Sequence, residues 1–241
     1  MFRQSEGSLI AENAQRIRHG TSDLQFGDDF QFWASADETQ SAQYLIRLYK
    51  REVARFGVDN VALLTPFRKK SETGVHSLNA ALHDAINPKA PGKAEIEVGQ
   101  RVLRVGDKVM QMKNRDFASN GDIGYICTST RDPDSLLVEV DFGDDRVVAY
   151  EDTETLRQLE LAYATTIHKS QGSEYDAVLI NIQNMHGKML NRALFYTAET
   201  RAKKRVIIVG DWDAVVRAVQ TADTKHRHTM LAMRINDLIK E

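Results

Sequence analysis

Short apolar runs that alternate with amphipathic helical segments constrain the fold of this chain more than any other feature. Residues 61–65 (VALLT), 176–182 (DAVLINI) and 205–209 (RVIIV) are almost entirely aliphatic. Strands buried on both faces of a parallel sheet have this composition. We therefore expect an α/β fold with a largely parallel sheet.

Segments with helical periodicity precede and follow the first short strand, which is predicted at residues 30–34. Apolar residues recur three and four positions apart over residues 9–17 and again over residues 42–56. Gly20 and Gly57 follow these segments, and glycine is the residue that most often ends a helix. The spacing predicts a further helix near residues 189–202, and two more helical stretches near the end of the chain.

The middle of the chain has a different character, because β-rich runs replace the helical period. Turn residues such as Asn120-Gly121 separate these runs, which favours a small β-barrel inserted into the α/β fold. The predicted division is an α/β domain in two segments, 1–97 and 152–241, with the barrel at 98–151. The barrel strands are expected at residues 108–112, 123–130, 136–142 and 146–150.

Composition and charge exclude several classes of protein. The chain has 32 Lys and Arg against 34 Asp and Glu, a formal net charge of −2, so it is no polycationic nucleic-acid binder, although a localised groove remains open. A single cysteine, Cys127, provides neither a disulfide nor a four-cysteine zinc site. No apolar stretch approaches the ~18 residues of a membrane span. With no signal-peptide pattern at the N-terminus, we expect a cytoplasmic protein without a membrane partner.

A dense polar cluster follows one of the predicted strands. Residues 162–174 (AYATTIHKSQGSE) end a strand-like run, 159–165, at threonines, after which come an imidazole, an ammonium group and a glycine. Open α/β sheets bind ligands at the carboxyl ends of strands, and hydroxyl and ammonium groups suit phosphate oxygens. Taken alone, the cluster fits a ligand site and a solvated loop equally well.

Basic residues also collect at the end of a predicted helix, in residues 191–204 (NRALFYTAETRAKK). An arginine in this position can project across a domain interface to a phosphate, as arginine fingers do. For this segment alone, cations that complement the helix dipole are the simpler explanation. Two further segments, FRQ at 2–4 and LTPFR at 64–68, carry little information by themselves.

In this order, the motifs resemble the second motor half of the RecD-like (RecD/TraA family) DNA helicases, the 5′→3′ branch of superfamily 1. The resemblance implies a RecA-like parallel sheet of the P-loop NTPase type, without its own P-loop, with helices on both faces and an inserted SH3-like barrel. It covers nearly the whole chain through FRQ (2–4), LLTPFRK (63–69), Leu78-Asn79, Asn87-Pro88, GDKVMQ (106–111), NGDIG (120–124), TIHKSQGSE (166–174) and YTAETRAKK (196–204).

The resemblance also implies roles for individual residues. Arg201 corresponds to the motif VI arginine that contacts the γ-phosphate of ATP on the other motor domain. Arg3 resembles a second arginine aimed at the same phosphate, with Gln4 beside it. Gly172 and Glu174 match the part of motif V near the nucleotide. The cofactors implied are ATP and Mg²⁺, held mainly by the other domain, and no metal ligand is expected here. The implied contacts to single-stranded DNA are Thr65, Arg68, Thr166, His168 and Lys169.

Two features depart from the family pattern. Glu199 stands where the family usually has an apolar residue, and it would either pair with a nearby Lys or Arg or weaken nucleotide sensing. The chain also contains no GxxxxGK[ST] phosphate loop. Residues 37–40 (DETQ) resemble a magnesium-binding box, but Asp37 and Glu38 are better explained as the cap and acidic first turn of a helix. We therefore expect the phosphate loop on an N-terminal RecA-like domain of the same polypeptide, since FRQ lies next to Met1.

The predicted function is that of the C-terminal half of an ATP-dependent DNA helicase. This half would bind single-stranded DNA, or a junction with duplex, and couple ATP hydrolysis to 5′→3′ translocation in DNA repair or recombination. Alone it would be inactive as an ATPase. Two alternatives are a non-catalytic DNA-binding module with a vestigial helicase fold, and the helicase half of a conjugative relaxase. The aromatic residues, including Trp33 and Trp212, are expected mostly in packed or half-buried positions.

Overall fold

The computed structural model describes residues 7–69, 71–99, 101–132 and 135–222. The helices are α1 Leu9–His19, α2 Glu38–Phe56, α3 Val75–Ile86, α4 Thr153–Leu156, α5 Arg192–Glu199 and α6 Trp212–Gln220. The strands are β1 Phe30–Ala34, β2 Val61–Thr65, β3 Glu95–Val98, β4 Arg101–Arg104, β5 Lys108–Gln111, β6 Ile123–Asp132, β7 Ser135–Asp141, β8 Val147–Tyr150, β9 Leu159–Leu161, β10 Ala164–Thr166, β11 Tyr175–Ile182 and β12 Ala202–Gly210. Short 3₁₀ helices cover Val58–Asn60, Ile167–Ser170 and Asn184–Met189.

Five strands form the predicted parallel sheet, in the order β1-β12-β11-β2-β10. All four pairings between neighbouring strands are parallel. The apolar runs that predicted buried strands are β2, β11 and β12, and they occupy interior positions of the sheet. The prediction of a parallel α/β sheet is confirmed.

Helices cover both faces of this sheet, as β11 shows. Val178, Ile180 and Ile182 pack in one apolar core with residues of α1, α5 and α6. Ala177 and Leu179 point the other way and pack with residues of α2 and α3. Side chains alternate between the two faces of a strand, so a strand covered on both faces is apolar at nearly every position.

The helix ends follow from the capping residues. Gly20 ends α1 in the left-handed conformation, with φ 78°. Asp37 begins α2, and its carboxylate accepts a hydrogen bond from the Gln40 amide at 2.8 Å. Helix α5 is shorter than expected because Asn191 caps it, accepting from the Leu194 amide at 2.8 Å. Of the two helices expected near the end of the chain, α6 is present and the other falls in 223–241, outside the described residues. No helix of the described ranges is long and apolar enough to cross a bilayer.

A second sheet is antiparallel, with the order β8-β7-β6-β5-β9, and the hairpin β3–β4 packs against it. Strands β5 to β8 match the four strands expected in the inserted barrel. The run at 159–165, expected as one strand of the α/β fold, is two strands: β9 pairs with β5, and β10 pairs with β2. Pairing in the second sheet therefore extends past residue 151. Its core contains Ile96, Val98, Leu103, Val109, Ala118, Ile126, Val138, Val140, Phe142, Val148, Tyr150, Leu156 and Leu159.

A buried carboxylate joins the two sheets. Asp107, which is fully buried, accepts hydrogen bonds from Asn87 Nδ2 at 2.7 Å and from the Tyr163 hydroxyl at 3.0 Å. It also accepts from the Arg104 amide at 2.7 Å and lies 2.8 Å from His83 Nε2. These partners come from the end of α3, the end of β4 and the link between β9 and β10. Asp107 therefore ties the second sheet to the α/β domain at a buried polar centre.

Candidate functional site

The expected DNA contact Thr65 lies at the carboxyl end of β2, beneath the loop that follows. Its side chain is fully buried, and its hydroxyl accepts a hydrogen bond from Asn181 Nδ2 at 3.2 Å. Asn181 in turn accepts from Gln183 Nε2 at 3.1 Å. The Thr65 hydroxyl therefore supports the loop from below and does not reach the surface where DNA would lie.

The same loop is also held by the N-terminal turn of α2. Glu38 Oε1 accepts hydrogen bonds from the Thr73 amide at 3.0 Å and from the Ser71 hydroxyl. The Phe67 ring packs edge-on against His186, with 4.8 Å between centroids. Burial lowers the pKa of His186 to about 4, so this imidazole is neutral at physiological pH. The DETQ segment thus caps a helix and fixes a loop, which confirms its interpretation as a cap.

Three of the expected DNA contacts line one groove between the two sheets. Arg68, Thr166 and Lys169 share this groove with Met110 of the second sheet, and its volume is about 110 Å³. Arg68 is 48% exposed at its side chain, and Nη2 lies 2.5 Å from Glu160 on β9. The groove therefore presents two cations, Arg68 and the partly buried Lys169, and a neighbouring carboxylate balances the charge of Arg68.

The chain leaves β10 through a 3₁₀ turn that points its residues in opposite directions. Ile167 is buried in the core, whereas His168 is exposed. The Thr166 hydroxyl caps this turn by accepting from the Lys169 amide at 3.4 Å. The Lys169 ammonium donates to the side chain of Asn120, in the turn between β5 and β6 of the second sheet. His168 and Lys169 thus lie where the two sheets meet.

A second cluster forms at the amino ends of β11 and β12. Arg201 Nη1 donates to the Ser173 carbonyl at 3.2 Å, and the Tyr175 amide donates to the Arg201 carbonyl at 2.9 Å. Glu174 follows Ser173 in the chain, and its Oε2 atom lies 3.3 Å from the Lys203 ammonium. The structure therefore brings Arg201 together with the motif V residues expected near a nucleotide.

One short segment connects the two clusters. Residues 166–174 begin in the groove at Thr166 and end beside Arg201. Gly172 lies within this segment with φ 91°, in the left-handed region that glycine adopts without steric cost. A displacement of Arg201 can reach Ser173 through their hydrogen bond, and Ser173 is joined to the groove residue Thr166 by the backbone of this segment.

Glu199 occupies an unexpected environment. It is fully buried, and neither carboxylate oxygen has a hydrogen-bond partner among the described residues. Burial raises the pKa of this carboxyl group well above its usual value. Of the two alternatives for Glu199, pairing with a nearby Lys or Arg is not seen among the described residues, because the last turn of α5 directs the side chain into the protein interior.

Arg3 and Gln4 lie outside the described residues, so their expected places in the site stay predictions. In the described ranges, no group of three His, Cys, Asp or Glu side chains is arranged to hold a metal ion.

The residues that fix the backbone behind the groove were not predicted from the sequence. Asn79 Nδ2 donates to the carbonyls of Leu161 at 2.7 Å and Ala164 at 2.9 Å, and its Oδ1 accepts from the Ala164 amide at 2.8 Å. Asn79 thereby fixes the point at which the chain crosses from the second sheet to the first. Both Asn79 and Asp107 lie inside motifs that carried the resemblance, but a polar residue in a motif does not reveal which backbone it will bind.

The fold and the two clusters define a class of protein. A parallel sheet with helices on both faces is interrupted by a small antiparallel sheet. An arginine and a glycine-containing turn meet at one edge, and a polar groove lies between the sheets. This is the architecture of one RecA-like lobe of a nucleic-acid motor.

Two family models match the chain. Residues 161–209 match the UvrD-like helicase C-terminal domain. Residues 78–142 match the SH3 domain of ATP-dependent RecD-like DNA helicases. The first covers β10 to β12 with Arg201, and the second covers most of the antiparallel sheet, which is therefore an SH3-like domain.

Curated relatives and a solved structure agree with these models. The ATP-dependent RecD2 DNA helicase of Deinococcus radiodurans is 32% identical over 98% of this chain, which spans 31% of that protein. The RecBCD enzyme subunit RecD of Mycolicibacterium smegmatis is 42% identical over 41% of this chain and 16% of its own length. The Pif1 helicase from Bacteroides, solved with ADP-AlF3 and single-stranded DNA, has the same fold, with a TM-score of 0.50 and 18% identity over 100% of this chain and 55% of its own. The chain belongs with the RecD-like superfamily 1 DNA helicases, as their C-terminal half, and it spans about a third or less of the curated relatives named here.

Proposed function

We propose that this chain is the C-terminal motor half of an ATP-dependent DNA helicase. In this proposal it binds single-stranded DNA in the groove lined by Arg68, Thr166 and Lys169, with His168 at its edge. It supplies Arg201 to ATP held by an N-terminal RecA-like domain. Its movement relative to that domain drives 5′→3′ translocation and unwinding.

The observation that carries the proposal is the connection between the two clusters. Arg201 is bonded to the Ser173 carbonyl, and Ser173 lies in the segment that begins at Thr166 in the groove. A change in the position of Arg201 when phosphate is transferred or released would move Ser173 and, through the short segment, the DNA-contacting residues that begin at Thr166. A motor needs such a link between nucleotide state and DNA contact.

The chemistry assigned to Arg201 follows from its side chain. A guanidinium keeps its charge at any physiological pH and offers several N–H donors in a fixed plane. Arg201 uses Nε toward the Thr197 carbonyl at 3.2 Å and Nη1 toward Ser173, while the residue stays partly exposed. These two bonds orient the guanidinium, which then stabilises negative charge that develops on a transferred phosphoryl group. In the same proposal Arg3 contributes a second cation, with Gln4 beside it.

The residues present fit the completion of an ATP site better than a whole one. The sequence contains no GxxxxGK[ST], and in the described ranges no acidic cluster is arranged for a metal. Magnesium, when bound with ATP, neutralises phosphate charge. Gly172 and Glu174 border the nucleotide from this side, and the phosphate loop and the metal ligands are assigned to the N-terminal domain.

DNA-stimulated ATP hydrolysis tests the proposal. In a polypeptide that joins this chain to a RecD-like N-terminal motor domain, Arg201→Ala should lower kcat by about 10³-fold or more, because a finger arginine acts on the transition state. Arg201→Lys keeps the positive charge but loses the planar guanidinium with its several N–H donors, so it should recover only part of the rate.

The control is Arg217→Ala on α6, an arginine that bonds to the Asn184 side chain and should leave turnover unchanged. The chain by itself should hydrolyse ATP negligibly. Unchanged turnover in Arg201→Ala would remove this residue from the site, and substantial DNA-stimulated hydrolysis by the chain alone would contradict the assignment of the phosphate loop to another domain.

A further inference from the structure

Phe117 is the most exposed large apolar side chain in the part of the protein that the structure describes, at 77%. It lies in the turn between β5 and β6 of the SH3-like domain. Its φ is 63°, in the left-handed region that is unusual for a bulky residue. The expectation that aromatic residues are packed or half buried holds for Trp33 and Trp212, which are both partly buried, but not for Phe117.

The turn that carries Phe117 is held on both sides. The Arg115 amide donates to the Ala118 carbonyl at 2.9 Å, and the Ala118 amide donates back to Arg115 at 3.2 Å. Ala118 is buried in the core of the SH3-like domain, and the Arg115 guanidinium lies 4.4 Å from the centroid of the Tyr150 ring. The aromatic side chain therefore projects from a fixed support.

Stability does not explain a phenylalanine at this position. An exposed ring buries little apolar surface, and a bulky residue with positive φ is strained where glycine would be relaxed. The backbone strain favours glycine here, and the exposed ring gains little burial to offset that strain. A strained residue with no compensating packing is typical of a position that contacts a ligand.

The turn adjoins the groove assigned to DNA. Asn120, three residues after Phe117, accepts a hydrogen bond from the Lys169 ammonium. The turn also carries two cations, Lys113 and Arg115, that suit a phosphate backbone. Phe117 thus lies in the turn of the SH3-like domain that contacts the groove through Asn120.

We propose that Phe117 is a stacking platform for a base of the single-stranded DNA held in that groove. This inference rests on the proposed function, because it assumes that the groove binds DNA. Every base has a π face, so one exposed aromatic ring close to a groove that carries Arg68 and Lys169 gives affinity without sequence preference. A protein partner fits less well, since the neighbours of Phe117 are the exposed polar residues Asp116 and Ser119 and not an extended apolar patch.

Binding of a fluorescently labelled oligothymidine to the 241-residue chain, measured by anisotropy, tests the inference. Phe117→Ala should weaken binding by roughly 5- to 100-fold, the range found for a lost base–aromatic stack. Phe117→Gly should weaken binding similarly while the melting temperature stays equal or rises, because the backbone strain is relieved. Val147→Ala, which truncates another exposed apolar residue of the same sheet (54% exposed), should leave affinity unchanged.

Phe117→Trp provides a readout that a merely structural role would not move. This variant should keep the affinity, and its added indole fluorescence should be quenched when oligothymidine binds, relative to the unchanged chain with Trp33 and Trp212. If the unchanged chain binds and Phe117→Ala binds equally well, or if the added fluorescence of Phe117→Trp is not quenched, the stacking role is overturned and the proposed function stands. If the unchanged chain does not bind oligothymidine at all, both fall.

Discussion

At the residue scale, Glu199 is a side chain whose burial lowers the stability of the folded protein. A carboxyl group with no hydrogen-bond partner among the described residues lies fully buried at the end of α5. Desolvation penalises the ionised form, so the folded protein binds a proton at this group more tightly than the unfolded chain does. The consequence is a pH-dependent cost to stability.

Glu199→Gln should therefore raise the free energy of unfolding at pH 7, by about 1–3 kcal/mol. Because the pKa of Glu199 is raised in the folded state, the stability of the unchanged chain falls as pH rises from about 4.5 toward the folded-state pKa. The difference between the two proteins should accordingly shrink toward acid pH. Urea unfolding at several pH values measures this difference. Glu12→Gln, an exposed residue of α1, is the control, and a gain that does not vary with pH would contradict the explanation.

Residue-scale burial also separates the expected site residues from one another. Arg68 and His168 are accessible to a ligand, whereas the side chain of Thr65 lies beneath its loop. The motif alone does not distinguish these cases, because accessibility depends on β11 residues that pack against Thr65 from far along the chain.

At the scale of elements, the crossing between β9 and β10 depends on Asn79. This α3 side chain makes three hydrogen bonds to backbone groups of the crossing. Buried backbone groups that lose their partners are costly, since no water replaces the bond.

Asn79→Ala should lower the free energy of unfolding by about 2–4 kcal/mol, since it leaves buried carbonyl and amide groups unsatisfied. Thermal or urea unfolding measures the loss. Ala81→Ser, on the exposed side of the same helix, should change stability little. A loss in Asn79→Ala no larger than in this control would show that the crossing is held by strand pairing alone.

Helix α3 and the hairpin β3–β4 were not anticipated, for identifiable reasons. The buried face of α3 includes Asn79 and His83 among its apolar residues, so its amphipathic pattern is weakened by the polar groups that join the sheets. Each strand of the hairpin has four residues, too few for alternation to stand out. Strands β1 and β2, in contrast, begin and end at the expected residues because sharp turns or caps border them.

At the scale of the whole molecule, attraction of DNA depends on a few cations in the proposed groove and not on the net charge of the chain. The net charge is −2, yet the proposed groove presents Arg68 and Lys169, and Glu160 lies 2.5 Å from Arg68. Few phosphates can be neutralised by so small a set of cations.

Binding of single-stranded DNA should therefore depend weakly on salt, with log K falling against log salt with a slope between about −1 and −3. Arg68→Ala should make this slope shallower by about 0.7, the value for one single-strand phosphate contact. Glu160→Gln removes a competing anion and should tighten binding at low salt. Anisotropy titrations over a range of salt concentrations measure all three, with Arg217→Ala as the unaffected control. A slope that is the same in Arg68→Ala would exclude a phosphate contact.

The amino-acid sequence by itself determined the strands and helices with clear periodicity, the parallel character of the main sheet, and the family to which the chain belongs. These properties depend on local spacing and on short motifs, which can be recognised without coordinates. Only the tertiary structure decided that β9 joins the second sheet, that Thr65 and Glu199 are buried, and that Phe117 is exposed on the SH3-like domain. Strand pairing and burial depend on residues brought together from distant parts of the chain, as Met110 and Glu160 are in neighbouring strands.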